Sequence, residues 1–351
     1  MDESERLYLA AKMYFEEGRK QGEVARSLGI RQPEVSRLLK LARQLGVVEI
    51  AINLPPERRL SRRLAEHFPH LEEVIVVPAL RVPAGRDYLR DELAARAARD
   101  FREHVRSEES VAVSGGRTIA AMVHALRENA GEDGALEGLK VAALTVLALS
   151  RTVAISPAGL VAGLVSTFAR CEGTVLQFPD LSIRTALAKE TLAKVESLLE
   201  EAAQAKHIYL GVGHLGSPNF ASLVDSLGLT EKLGRLGAIG ECGHQPYTVL
   251  GEDLFHAREL GPLRDRVLTV PLARLRELVA SGKARVTAIA GGPEKRDAVL
   301  GGLRARTFNR LITDVETARH VDREMGKAAG AEPPSRSGGA GAEPRNARGR
   351  S

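Results

Sequence analysis

Apolar side chains recur at helical spacing in the first part of the chain. They predict three helices, over residues 5–17, within QGEVARSLGI (21–30) and within RQPEVSRLLKLARQLG (31–46). Gly18 can end the first helix, and Gly29 makes the tight turn between the other two. The alternating segment VVEIAINL (47–54) predicts a strand of the kind that forms a wing.

The rest of the chain alternates strands with helices. Strands are predicted over 72–79, 110–116, 139–149, 173–178, 207–213, 266–270 and 284–292, and helices over 87–106, 117–128, 157–170, 185–204, 271–281 and 293–303. Residues 310–321 complete the series with a strand and a helix. Because helices separate the strands and several strands are apolar throughout, the predicted fold class is α/β, with a parallel sheet covered on both faces.

The length of the chain, a pair of prolines and a change in composition divide the sequence into predicted domains. At 351 residues it exceeds the usual size of one domain, and Pro55-Pro56 follows the three-helix segment. Past about Glu324 the composition, mostly Gly, Ala, Pro, Ser and Arg, offers too little apolar surface to fold. The prediction is a helix-turn-helix domain over 1–55, a linker helix within 56–70, an α/β domain over 71–325 and a disordered tail over 326–351.

The net charge of +5 is concentrated near the start of the chain. Between Gly18 and Leu45, seven Lys and Arg residues accompany two acids, so this segment alone carries +5. A basic segment of this kind indicates contact with a polyanion such as DNA. No stretch approaches the ~18 apolar residues of a membrane span. The two cysteines are too few for a disulfide framework, so we expect a cytoplasmic protein.

The third predicted helix carries side chains that suit base recognition. In a helix-turn-helix the second helix of the motif enters the major groove, and its first turns reach base edges. Arginine suits guanine, glutamine suits adenine, and glutamate accepts from cytosine. The predicted DNA contacts are Arg31, Gln32, Glu34, Ser36, Arg37 and Lys40. The alternative is a plain three-helix bundle with arginines on its surface.

A glycine turn joins one predicted strand to its helix. Strand VAVSGG runs directly into RTIAAMVHAL, with Ser114, Gly115, Gly116, Arg117 and Thr118 at the joint. Glycines there let backbone N–H groups turn towards an anion, and the helix dipole adds positive charge. The pattern predicts a phosphate-binding loop, although a tight strand-to-helix connection has the same appearance. It matches no nucleotide-binding fingerprint, and no cofactor is predicted.

Other strand exits supply further candidates. Lys295 opens a helix after AIAGG, at the carboxyl edge where open α/β sheets bind ligands. A solvated helix lysine is the alternative interpretation. GVG (211–213) and a predicted loop, GECGHQPY (240–247), add the candidates Gly211, Gly213, Glu241, His244 and Gln245. Carboxylates and amides suit sugar hydroxyls. No further His or Cys stands at ligand spacing, so no metal site is predicted.

Three segments together resemble the SorC family of sugar-binding transcription regulators. They are EVARSLGIRQPEVSRLLKLARQLGVVEI (23–50), VAVSGGRT (111–118) and AGGPEKRDAVLGGLRARTFNRLITDVETARHV (290–321). The resemblance implies a doubly wound, Rossmann-like effector domain related to sugar-phosphate isomerases. It also implies a phosphosugar effector that meets the residues Gly115, Gly116, Arg117, Thr118, Glu241 and Lys295. The segment CGHQPY after Glu241 departs from the family pattern.

These observations predict a DNA-binding regulator, not an enzyme, whose operator affinity is controlled by a phosphorylated sugar. Its partners would be double-stranded operator DNA, the sugar, and further copies of the chain in a homodimer or homotetramer. The alternative is an enzyme resembling sugar-phosphate isomerases with an appended DNA-binding module, in which Glu241 or His244 would be the base. A DNA binder without a ligand would leave the α/β domain unexplained.

Overall fold

The computed structural model describes residues 2–48, 56–78, 86–128, 136–147, 153–175 and 189–330. The chain divides into two compact units, Met1–Leu54 and Pro55–Ser351. The predicted wing at 47–54 lies almost wholly outside the described residues, which stop at Val48.

The first unit is a small helical domain. Its helices are α1 (Glu3–Ala11), α2 (Gln21–Leu28) and α3 (Gln32–Gln44), and a π-helical turn, Lys12–Glu16, extends α1. Apolar residues at helical spacing form its core, which includes Leu7, Ala10, Ala11, Val24, Ala25, Val35, Leu38, Leu39 and Ala42. Gly29 adopts a φ of +66° between α2 and α3, a conformation that favours glycine. The predicted helix-turn-helix is therefore confirmed.

The second unit alternates strands with helices. Its elements are α4 (Arg58–His67), β1 (Glu73–Val77), α5 (Arg86–His104), β2 (Ser110–Val113), α6 (Arg117–Glu128), β3 (Lys140–Ala143), β4 (Thr145–Leu147), α7 (Pro157–Thr167), β5 (Glu172–Thr174), α8 (Lys189–Ala203), β6 (His207–His214), α9 (Pro218–Ser226), α10 (Thr230–Arg235), β7 (Ala238–Cys242), β8 (Gln245–Thr248), α11 (Gly261–Arg264), β9 (Val267–Thr269), α12 (Leu272–Ser281), β10 (Arg285–Ile289), α13 (Arg296–Ala305), β11 (Arg310–Asp314) and α14 (Val315–Gly330).

The main sheet is mostly parallel and covered on both faces. Its parallel strands follow the order β1-β11-β10-β6-β2-β3-β5, and β7 and β8 extend β6 in antiparallel fashion. Alternate strand residues point to opposite cores. On β1, Val74 and Val76 join the core under α4, α8, α12, α13 and α14, whereas Ile75 and Val77 join the core under α5, α6 and α7. This arrangement confirms the doubly wound α/β prediction.

Several predicted elements differ from the structure. The strand predicted over 139–149 is broken at Leu144, and its second half, β4, pairs with β9 in a separate antiparallel sheet. The strand predicted over 266–270 therefore lies outside the main sheet. The loop predicted over 240–247 is the hairpin of β7 and β8. The sequence does not reveal the break at Leu144, because a continuously apolar segment has no alternation of polar and apolar residues to mark where one strand ends.

Both ends of the second unit also differ from the prediction. The helix predicted as a linker, α4, packs against β1 and α14 and buries Leu64. Asp322 of α14 forms an ion pair with Arg63 of α4 at 2.8 Å and accepts a hydrogen bond from His67 of the same helix at 3.0 Å. The last helix, α14, runs on to Gly330, beyond position 326 where the tail was predicted to begin. Residues 331–351 lie outside the described part of the chain.

The strand order creates one topological switch point. Strands β2 and β6 are neighbours, but β2 leads to β3 on one side, whereas β6 leads towards β10 on the other. The connections that leave their carboxyl ends therefore diverge and open a crevice between them. In open α/β sheets, ligands bind in this crevice.

Candidate functional site

A cavity of 370 Å³ occupies the switch point. It is lined from four strand exits, those of β2, β6, β7 and β10, and from the beginnings of α5 and α9. All the effector residues predicted from sequence line it: Ser114, Gly115, Gly116, Arg117, Thr118, Gly211, Gly213, Glu241 and Lys295. Segments from widely separated parts of the sequence therefore meet in one place.

The turn between β2 and α6 is shaped by two glycines. Gly116 adopts a φ of +118° and donates its N–H to the carbonyl of Ile155 at 2.9 Å. A Cβ on Gly115 would lie 3.0 Å from the Pro157 ring, so only glycine passes freely there. The first N–H groups of a helix lack intrahelical acceptors, and the first turn of α6 contains no acid. The end of α6 at the cavity is therefore electropositive.

Ser114 holds this turn against the neighbouring strand. Its buried hydroxyl accepts the N–H of Gly211 at 3.0 Å and donates to the carbonyl of Gly115 at 3.2 Å. Sequence analysis grouped Ser114 with the ligand contacts. In the structure its hydroxyl joins the exits of β2 and β6, which positions the glycine turn.

Lys295 enters the cavity from the exit of β10. Gly291 and Gly292 form that exit, and Gly292 donates its N–H to Asp314 at 2.8 Å. The Asp314 carboxylate also accepts from the N–H groups of Glu316 and Thr317, so it caps α14 as well. Burial lowers the pKa of Lys295, and the neighbouring Arg117 lowers it further, while Glu241 opposes both. Lys295 and Arg117 therefore share the cavity with Arg90 and with the carboxylates Glu241 and Glu294.

Glu241 lies on β7, directly opposite Gly213 of β6. A Cβ on Gly213 would come within 2.0 Å of the Glu241 Oε1 atom, so the carboxylate rests where a side chain would otherwise stand. Its Oε2 atom accepts the N–H of His244 at 2.8 Å. Glu241 is thus fixed to the hairpin turn and lines the cavity.

The hairpin turn separates two residues that the sequence placed together. His244 lines the cavity and is buried. Gln245 lies behind it, and its side-chain amide bonds the backbone at Val270 and Leu272, at 2.9 and 3.1 Å. Gln245 is therefore a structural residue that ties the hairpin to the start of α12, and its predicted role as a sugar contact is wrong.

Some lining residues were missed by the sequence analysis. They are Leu89, Arg90, Leu93, Ile119, Val212, Ser217, Pro218, Asn219, Phe220, Gly243, Gly291, Gly292, Pro293 and Glu294. The pair Ser217-Pro218 is a helix-start signal that could have revealed α9. By contrast, α5 reaches the cavity because β1 pairs with β11 in the sheet. The pairing of strands so far apart in the sequence leaves no local pattern.

On the first unit, most of the predicted DNA contacts lie on the open face of α3. Arg31, Gln32, Ser36, Arg37 and Lys40 are exposed, and Glu34 is half-buried. Arg37 also pairs with Glu3 of α1 at 3.3 Å, and both side chains are well exposed. Val35 and Leu38 face the core on the other side of the helix. The helix therefore presents a continuous polar surface with a basic excess.

Another charged cluster lies at the opposite edge of the sheet. Glu73, Asp100 and His104 bring potential metal-ligand atoms within 4.8 Å of one another among the described residues. The guanidinium of Arg310 bonds both carboxylates, and the Tyr209 hydroxyl donates to Asp100 at 3.1 Å. The cation of this cluster is therefore the protein's own arginine.

Taken together, a helix-turn-helix unit and an α/β unit with an electropositive cavity at its switch point define a class: DNA-binding proteins that sense a small ligand. In the part of the chain that the structure describes, no helix is long and apolar enough to span a membrane. Comparison with known proteins gives the family.

Residues 56–321 match the family described as "Putative sugar-binding domain". The transcriptional regulator LsrR of Enterobacter sp. (strain 638) is 26% identical over 335 residues, 92% of this chain and 94% of the relative. The deoxyribonucleoside regulator of Bacillus subtilis (strain 168) is 26% identical over 322 residues, 90% of this chain and 96% of the relative.

Among solved structures, the full-length sorbitol operon regulator SorC of Klebsiella pneumoniae is similar with a TM-score of 0.68 at 21% identity. The match covers 92% of this chain and 99% of that one. The chain belongs to the SorC family of sugar-binding transcription regulators, which confirms the resemblance seen in the sequence.

Proposed function

We propose that the protein binds operator DNA through α3 and that a phosphorylated sugar in the switch-point cavity controls this binding. The observation that carries the proposal is the electropositive end of the cavity, where a glycine turn, the acid-free start of α6, Arg117 and Lys295 converge. A helix N-terminus with glycine-rich backbone is suited to phosphate. Family membership supports a sugar as the remainder of the ligand.

The phosphate would lie against Gly115, Gly116, Arg117 and Thr118. Because the N–H of Gly116 is already bonded to Ile155, the donors would come from the first turn of α6 and from the Thr118 hydroxyl. Lys295 would add a positive charge, and a phosphate beside it would favour its protonated form. Glu241, whose carboxylate lies over Gly213, would accept hydrogen bonds from sugar hydroxyls. Gly211 would let the ligand approach the end of β6, because it carries no side chain there.

Operator contacts are proposed for the polar face of α3, with Arg31, Gln32, Glu34, Ser36, Arg37 and Lys40. Paired helix-turn-helix units read half-sites about one helical turn apart. A symmetric oligomer matches such an operator, so we propose a homodimer or homotetramer. Light scattering of the purified protein should then give at least twice the monomer mass.

The test of the ligand proposal is a binding screen with phosphorylated sugars and their unphosphorylated counterparts. A ligand at 100 times its dissociation constant stabilises the native state by about 2.7 kcal/mol, which raises the melting temperature by several degrees. Isothermal titration then gives the affinity. Lys295→Met and Thr118→Val should each weaken a phosphosugar about tenfold or more, because each removes a phosphate donor.

Lys283→Met is the matched control, since Lys283 is exposed at the amino end of the same strand, β10, away from the cavity. Its affinity for the phosphosugar should equal that of the wild type. A protein that binds free sugars as well as their phosphates, or binds neither, would contradict the proposal.

A second candidate function is a sugar-phosphate isomerase, and one observation favours it. Glu241 and His244 stand together in the cavity, which gives a carboxylate and an imidazole beside a proposed phosphate site. The discriminating measurement is turnover of each phosphosugar that binds. The regulator proposal expects none; turnover that is lost in Glu241→Ala would favour the enzyme.

A further inference from the structure

His244 occupies an unusual backbone position at the edge of the cavity. Cys242 pairs with Gln245, so Gly243 and His244 form the two-residue turn of the β7–β8 hairpin. Both have positive φ, +56° and +65°. Such turns favour Gly, Asn and Asp, and a histidine there is held in a sparsely populated conformation. In this turn the His244 N–H donates to Glu241, and the residue lines the cavity.

The imidazole is buried without a full set of partners. His244 is 9% exposed, and its ring packs against Phe220, with 6.2 Å between ring centroids. Its Nδ1 atom is buried and has no hydrogen-bond partner among the described residues. Buried polar atoms in proteins are nearly always bonded, so an unpartnered one on a residue that lines a cavity points to a ligand.

His244 differs in charge from the groups proposed to hold the phosphate. Burial lowers the pKa of His244, and the nearby Glu241 opposes the shift. A neutral imidazole has one donor and one acceptor nitrogen, which suits a hydroxyl and adds no charge to hold a phosphate. The phosphate donors lie on α6 and at Lys295, on other strand exits.

Glu241 and His244 complement each other chemically. The carboxylate only accepts hydrogen bonds, and one of its oxygens already holds the His244 N–H. An imidazole can donate as well as accept. Together, the two groups can bond neighbouring hydroxyls of one ligand: the carboxylate accepts a hydrogen bond from a hydroxyl, and the imidazole donates to a hydroxyl or accepts from one.

We propose that His244 determines sugar specificity by hydrogen bonding to a hydroxyl of the bound phosphosugar. The proposal rests on the proposed function, because it assigns a role within the same cavity. It predicts that this imidazole contacts the sugar part of the ligand and that the phosphate is bound independently of it.

The test compares His244→Gly and His244→Asn with the wild type. Gly and Asn both tolerate positive φ, so the hairpin should be kept, and the melting temperature checks this. The probes are inorganic phosphate, glucose 6-phosphate, fructose 6-phosphate and ribose 5-phosphate, together with monodeoxy analogues of each sugar phosphate. Affinities are measured by isothermal titration. His256→Asn is the control, because His256 is exposed and does not line the cavity.

In His244→Gly the best-bound sugar phosphate should weaken about tenfold, while inorganic phosphate changes less than about twofold. One deoxy analogue should bind the wild type about tenfold less tightly than its parent sugar phosphate does. The same analogue and its parent should bind His244→Gly with equal affinity. This pattern is the non-additivity of two groups in direct contact. His244→Asn should keep part of the affinity, and His256→Asn all of it.

Other outcomes overturn one idea or both. If His244→Gly binds every probe as the wild type does, or weakens phosphate and sugar phosphate equally, His244 does not read a hydroxyl. The proposed function survives either result. If the wild type binds none of the sugar phosphates, the proposed function fails and the assignment of His244 fails with it.

Discussion

Gly213 and Glu241 are directly paired across β6 and β7, and the carboxylate lies over the bare glycine. The contact shows how the cavity depends on an absent side chain. A Cβ at Gly213 would meet the far end of the Glu241 side chain, which can swing away at small cost in stability. Such a substitution would therefore lower the affinity for the ligand more than it lowers the stability of the fold.

Gly213→Ala should therefore displace the Glu241 carboxylate and weaken sugar phosphate binding about tenfold, with a loss of stability of about 1 kcal/mol. Titration calorimetry and urea unfolding measure the two effects. Gly234→Ala is the control, because a Cβ there meets nothing within 4 Å and the residue lies in helix α10. Full sugar phosphate affinity in Gly213→Ala would show that the position of Glu241 is unimportant.

Residues that the structure brings to the cavity could be selected from sequence where a local pattern singles them out. Gly116 and Gly213 follow apolar strands, and Lys295 follows a strand and two glycines. His244 was only one candidate among several, because nothing in the sequence reveals that its Nδ1 atom is buried without a partner. Leu89 reaches the cavity through long-range strand order, which local patterns do not contain.

At the scale of elements, the amino ends of β2 and β6 are joined by a charged cluster. Glu109, just before β2, accepts hydrogen bonds from Lys206 and from the buried His207 at 2.8 Å. Burial alone would raise the pKa of Glu109, but these bonds and one from the Arg106 N–H lower it to about 2. The cluster therefore stabilises the central strand pair while Glu109 is ionised.

The sign of the pH effect follows from this lowered pKa. The contribution of Glu109 is complete above its unfolded value of 4.5 and disappears as the pH falls through about 2. Urea unfolding between these limits should show a loss on the order of 3 kcal/mol in the wild type. Glu109→Gln should be less stable at neutral pH and should lose less stability than the wild type over this acid window.

The exposed Glu128→Gln serves as the control and should keep the wild-type profile. His207 adds a separate effect, because burial lowers its pKa and its protonation below the ordinary range also destabilises the fold. That part of the profile should remain in Glu109→Gln. An unchanged acid window in Glu109→Gln would exclude this carboxylate as the source.

Elements were predicted best where their pattern was periodic. Helices α2, α3 and α6 have one apolar face each, and the structure has them where the sequence placed them. Helix α10 was missed because its six residues, Thr230–Arg235, are too few to show a period. The pairing of β4 with β9 was missed because pairing between distant strands leaves no local signal.

At the scale of the whole molecule, the two proposed binding sites lie in different compact units. The proposed DNA contacts belong to the first unit, and the cavity residues belong to the second. The family model covers the second unit, and the relatives named transcriptional regulators match about 90% of the chain, so both units belong to one such protein. Coupling between two binding sites typically amounts to ~1–3 kcal/mol. A variant can therefore damage one activity and spare the other.

Arg37→Ala should weaken operator binding about tenfold or more and leave sugar phosphate affinity unchanged. Its pair with Glu3 is exposed on both sides, so the fold should hardly be affected. Fluorescence anisotropy on duplexes selected from a random library measures the first effect, and calorimetry measures the second. Arg319→Ala, an exposed arginine of the second unit, is the control. A parallel loss of both affinities would contradict the division.

The two ends of the cavity are encoded in different ways. The electropositive end is formed by the first turn of α6 and by the side chains of Arg117 and Lys295, on two different strand exits of the parallel sheet. The other end is formed by side chains on a two-residue hairpin outside the parallel strands. In evolutionary terms, the proposed role of His244 means that a single codon change at position 244 would redirect which sugar is sensed, while the groups proposed to hold the anion would be inherited unchanged.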